Sequence, residues 1–229
     1  MITPIYGQPY GSQIAQTPLY NQWPLRLFAW VISILFHPLF IPLYIGYYTA
    51  CIHPRFFSGY SSQERLMVVL RIGINMVAFP ILSVLLLKAV GFIESNLLKK
   101  QKDRIIPYIG CGIFFFWMYL VFRNQPQIPI VLTAFVFGVF LASSAALIAN
   151  IYYKISMHAI GCGGMVGFFL LLVHYYPSSP VTIPLMLSLL LTGMVCTSRL
   201  IIRSHSQKEI YMGLLVGISF QLIAGMMLL

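Results

Sequence analysis

From Ile155 to Ser198 the chain carries no Asp, Glu, Lys or Arg. That run is more than twice the roughly 20 mostly apolar residues an α-helix needs to cross a bilayer. It therefore holds two spans, and Pro177, Ser178, Ser179 and Pro180 in its middle supply the turn between them. The division predicts one span over 158–175 and another over 181–197. Further apolar runs predict spans over 27–54, 66–90, 105–122, 128–153 and 210–229. Pro38 and Pro42, inside the first of these, are expected to bend a spanning helix rather than abolish it. The short alternating segments of a membrane β-barrel are absent. The expected fold class is all-α, a polytopic membrane bundle of about six to seven transmembrane helices, because only helices or closed barrels satisfy their backbone in hydrocarbon.

Residues 27–229 form one transmembrane helical domain in this reading, and residues 1–26 a polar, interfacial arm. The arm is rich in Gln, Tyr, Pro and Gly and lacks the charged start and short apolar core of a cleaved signal. Tyr20, Trp23 and Arg26 suit head-group depth just before the first span. Within the fifth span, Gly163 and Gly167 are four apart, a spacing that lets a neighbouring helix approach closely. The cysteines Cys51, Cys111, Cys162 and Cys196 lie in or beside apolar runs without paired spacing and read as core fillers.

The formal charge is +10, from 14 basic residues against only Glu64, Glu94, Asp103 and Glu209. So few acids leave no material for a carboxylate-built metal site, and neither metal nor cofactor is expected. The expected partners are anionic membrane lipids, not nucleic acid; the oligomeric state is left open. Alternating the spans puts the polar links 91–104, 154–158 and 198–209 on one membrane face, and 55–65, 123–127 and 176–180 on the other. His158 and His205 fall on the charged face, His53 and His174 on the opposite one. His37, beside Pro38, reads as a side chain bonded to freed backbone and receives no functional role. Ten of the 14 bases fall on the charged face, which points that face to the cytoplasm. The expected location is a bacterial inner membrane, as a multi-pass protein.

The link that joins the last two spans reads S-R-L-I-I-R-S-H-S-Q-K-E, from Ser198 to Glu209. His205 and Glu209 are four apart and share a face if the last helix reaches back that far. A carboxylate there orients the imidazole, while Arg199 and Arg203 supply planar cations suited to phosphate oxygens. The stretch resembles the third signature of the type 2 phosphatidic acid phosphatase superfamily: Ser-Arg, five residues, His, three residues, Asp. Ser198, Arg199 and His205 match in register, and Glu209 stands at the aspartate. Lys-Ile-Ser-Met-His, from Lys154 to His158, resembles the second signature Pro-Ser-Gly-His, with Ser156 and His158 in place, Ile155 for proline and Met157 for glycine. The first signature is Lys, six residues, Arg-Pro. Arg104 fits its arginine, Pro107 follows three residues later, and Leu97 occupies the lysine position, leaving Lys99, Lys100 or Lys102 to replace it.

This resemblance implies a metal-independent membrane lipid phosphatase working through a phosphohistidine. His205 would be the nucleophile, Glu209 would hold its tautomer, and His158 would protonate the leaving alkoxide and later deprotonate water. Arg104, Arg199, Ser156, Ser198 and one of Lys99, Lys100 and Lys102 would bind the phosphate. The substrate classes it implies are phosphatidic acid, phosphatidylglycerol phosphate, polyprenyl phosphates or pyrophosphates, and phosphorylated lipid A. The alternative is a catalytically inactive relative that uses its basic face to bind anionic lipid or a partner. A transporter is a third class, but the spans show no duplicated halves and no acid deep in a membrane segment.

Overall fold

The computed structural model describes residues 22–92, 105–177 and 180–229, and among these it is all-α. Eight helices follow in order: α1 (Trp23–Leu35), α2 (Ile41–Ile52), α3 (Ser62–Ala89), α4 (Ile105–Arg123), α5 (Ile130–Tyr152), α6 (Met157–Tyr175), α7 (Thr182–Ile201) and α8 (Gln207–Leu228). The last six are long and apolar enough to cross a membrane, which makes this a multi-pass helical bundle.

The first predicted span is corrected. Residues 27–54 do not make one bent helix; the chain breaks between Leu35 and Ile41, and each half is shorter than a full crossing. The cause is local. A proline disfavours the helical region for the residue before it, so His37 leaves the helix, and Pro38 has no N–H to continue the ladder. The broken backbone closes by short turns, with the Phe40 N–H on the His37 carbonyl and the Tyr44 hydroxyl on the Leu35 carbonyl. Pro80 has a milder effect in α3. Its missing N–H is absorbed by a π turn over Gly73–Ala78, with the Phe79 N–H bonding back to Ile74.

The second predicted span begins earlier than its apolar run, because Ser61 and Glu64 form a reciprocal capping box that starts α3 at Ser62. Glu64 accepts from the Ser61 N–H at 2.7 Å, while the Ser61 hydroxyl accepts from the Glu64 N–H at 3.3 Å.

Helix α6 is the axis of the bundle. In its most apolar window 72% of the residues are buried, against 22% for α7, whose outer face is left to lipid. The tightest packing joins α6 to α8. A Cβ added at Gly217 would overlap the Ile160 carbonyl oxygen, and one at Gly163 would come within 2.5 Å of the Leu214 carbonyl oxygen. The predicted close approach at Gly163 and Gly167 is present, and its partner surface on α8 is Gly217, Gln221 and the backbone of Leu214 and Ile218.

Gly217→Ala is expected to destabilise the protein by about 1–3 kcal/mol, because backbone faces the new methyl and cannot yield. Gly110→Ala, with open space around it, should leave the melting temperature in detergent unchanged or slightly higher.

Candidate functional site

The site is built where the α5–α6 and α7–α8 links meet. Helix α7 ends in a left-handed cap: Arg203 adopts φ 56°, its N–H reaches the Leu200 carbonyl, and the Ser204 N–H reaches the Arg199 carbonyl. A non-glycine residue rarely holds this conformation, and the strain persists because both neighbouring elements fix the turn. The turn leads directly to Ser206, whose hydroxyl accepts from the Glu209 N–H and starts α8.

Ser206 and Glu209 repeat the Ser-x-x-Glu spacing of Ser61 and Glu64, yet the second carboxylate does something different. The Glu64 carboxylate turns back to the Ser61 backbone, whereas Glu209 Oε2 meets His205 Nδ1 at 2.6 Å. The His205 side chain is 6% exposed and that of Glu209 26%, so the imidazole sits inside the protein with its carboxylate at the rim. Nδ1 is engaged by the acid, which leaves Nε2 as the nitrogen that a reacting group would meet.

Two bonds tie the other link to this one. Lys154 Nζ donates to the Ser204 carbonyl at 2.8 Å, and the Ser156 N–H donates to the Glu209 carbonyl at 3.3 Å. Tyr108 and Ile155 belong to one buried cluster, so the first turn of α4 lies at the same end. The opposite end carries His53 and His174: the Phe56 ring, beside His53, packs on Tyr176, two residues after His174. The histidines predicted to lie apart are therefore at opposite ends of the bundle.

His158 is 9% exposed in the first turn of α6. Its Nε2 faces the Ser33 carbonyl at 3.0 Å, which as an acceptor fixes the proton on that nitrogen. The His37 ring packs edge-on against it, with centroids 5.2 Å apart. Arg199 lies within electrostatic range of His37, His158 and His205.

The two serines are used internally. Ser156 is fully buried and caps α6 by accepting from the Ala159 N–H. Ser198 donates its hydroxyl proton to the Met194 carbonyl of its own helix. Arg104, Lys99, Lys100 and Lys102 lie outside the described residues. Among the described residues no three His, Cys, Asp or Glu side chains gather as metal ligands.

Lys154 and His37 join the site without having been assigned to it from sequence. Lys154 stood in the stretch compared with the second signature, and its contribution rests on a carbonyl fifty positions away in the chain. His37 does bond to backbone, since Nδ1 accepts from the Leu39 N–H at 3.4 Å. Its approach to His158 follows from the break in the first span, which the apolar run hid.

Burial lowers the His205 pKa from 6.5 to about 4; Lys154 and Arg199 add to the depression, and the bond to Glu209 opposes it. His205 is therefore neutral at physiological pH. Comparison with protein-family profiles, with curated proteins and with solved structures gives no match. What the fold and site define is a class: a multi-pass helical membrane protein with a histidine–carboxylate pair, a second histidine and an arginine converging at one end of the bundle.

The pH dependence of stability follows from His205. Above pH 6.5 both folded and unfolded chains hold it neutral; between 6.5 and about 4 only the unfolded chain takes up the proton. Stability should therefore decline as the pH falls through that window, and His205→Gln should remove this part of the slope in denaturant unfolding.

Proposed function

We propose that the protein is a membrane lipid phosphatase that cleaves a lipid phosphomonoester or pyrophosphate through a phosphohistidine. The observation that carries this reading is the His205–Glu209 pair. A neutral, oriented imidazole stands at the end of two apolar helices with Arg199 in electrostatic range. Its resemblance to the third signature of the type 2 phosphatidic acid phosphatases adds to the geometry.

In the proposed reaction His205 Nε2 attacks phosphorus while its Nδ1 proton is held by Glu209. The bond from phosphorus to the lipid oxygen breaks, and that oxygen takes the Nδ1 proton of a His158 imidazolium, whose Nε2–H stays on the Ser33 carbonyl. Water then attacks the phosphohistidine, gives a proton back to His158, and releases phosphate. Arg199 balances charge on the nonbridging oxygens. No step calls for a metal. The site faces the cytoplasm of a bacterial inner membrane in this reading.

A second reading has its own observation. The only O–H of Ser198 is spent on Met194, Ser156 is fully buried as a helix cap, and His158 Nε2 is held by Ser33. Such commitments suit a protein that binds an anionic lipid without cleaving it.

Purified protein in detergent, given a panel of lipid phosphates with chelator present, is expected to release phosphate. His205→Ala should abolish release, and Glu209→Gln should lower kcat by about a hundredfold or more. Binding without turnover by folded wild-type protein would favour the second reading, and a strict need for divalent metal would sink the histidine mechanism. Orientation is tested separately. A cysteine placed at Lys208, which is exposed beside the site, should react with an impermeant thiol reagent in inside-out vesicles and not in right-side-out ones.

A further inference from the structure

An apolar cleft runs from the level of His158 into the middle of the bundle. It has a cavity volume of about 80 Å³ and is walled by Pro38 from the broken first span, Phe115 from α4, Gly138 from α5, and Met157 and Gly164 from α6. Nearly all of this wall is hydrocarbon or glycine. Gly164 leaves open space where a side chain would otherwise project, so the cleft is wide along α6.

Gln221 is one of the few polar side chains in the wall, with Tyr108 and Ser143. It is 1% exposed, and neither its Nε2 nor its Oε1 has a hydrogen-bond partner among the described residues. Its amide lies against Gly138, where a Cβ would collide with Oε1 and Cδ. Position 138 thus gives the amide its room, and both residues line the same cleft. Gln221 lies twelve residues beyond Glu209 on α8, about 18 Å deeper along the helix axis. A primary amide with donor and acceptor both unmade is unfavourable in hydrocarbon, so the resting site is incomplete as it stands.

We propose that this cleft binds a segment of one chain of a membrane lipid, and that Gln221 recognises a hydroxyl borne part way along that chain. A hydroxyl both donates and accepts, so one group can meet Oε1 and Nε2 in turn. A plain hydrocarbon chain fills the same walls but leaves the amide unmade, and a hydroxyl close to the head group lies too shallow to reach it. The inference concerns binding and stands whether or not the head group is hydrolysed.

The test uses the purified full chain in detergent and three phosphonate analogues of phosphatidic acid, which resist hydrolysis, of equal chain length and with a hydroxyl in mid-chain, a hydroxyl next to the carboxyl carbon, or none. Wild-type protein should bind the mid-chain hydroxyl lipid about tenfold more tightly than the other two. Gln221→Leu should erase that preference while keeping its affinity for the plain chain, and Gly138→Ala, which displaces the amide, should weaken the preference. Gly164→Leu, which fills the cleft, should weaken all three lipids alike. Equal affinities in the wild type, or a preference that survives Gln221→Leu, would overturn the assignment of Gln221. Unchanged binding in a folded Gly164→Leu protein would overturn the cleft as the place where the chain lies.

Discussion

The contact of Gly163 and Gly217, where α6 and α8 meet backbone to backbone, is the constraint on which the rest of the structure depends. In a membrane, apolar surface gives helices little reason to prefer each other over lipid, so association rests on close packing and polar bonds. Glycine supplies the closeness here. The same contact sets the register of the two helix starts: Gly213 sits against the Ser156 carbonyl and the Ala159 side chain, and one turn earlier the Ser156 N–H reaches the Glu209 carbonyl. The histidine–carboxylate pair is thus held by packing that begins below it.

Irregular backbone in the membrane region occurs where something covers it. The break between α1 and α2 lies against the start of α6, where the Ser33 carbonyl at the end of α1 meets His158 and Pro38 forms part of a cleft wall. The π turn in α3 keeps its backbone bonded in spite of Pro80. Prolines in these two places have different results because α3 retains a helical path on both sides of Pro80, whereas Pro38 drives His37 out of the helical region.

The two Ser-x-x-Glu segments show how little a local pattern fixes by itself. At Ser61 the glutamate completes a capping box; at Ser206 an identical spacing delivers its carboxylate to His205. The difference is the residue before the cap, Tyr60 in one case and His205 in the other, together with the left-handed turn at Arg203 that presents the imidazole. A carboxylate offered an imidazole inside the protein gains a charge-assisted bond, while the backbone N–H it leaves is close to the surface.

The sequence by itself determined the all-α class, the six long spans, the separation of His158 and His205 from His53 and His174, and the His205–Glu209 pairing. Hydrophobic run length and the helical repeat are local quantities, and each of these features follows from them. Only the tertiary structure decided that the first apolar run divides, that His37 lies against His158, that Lys154 holds the Ser204 carbonyl, and that Gln221 lines a cleft. These depend on which residue of one helix lies level with which residue of another. That register is set by glycine contacts and proline breaks far apart in the chain, and no window of local sequence contains it.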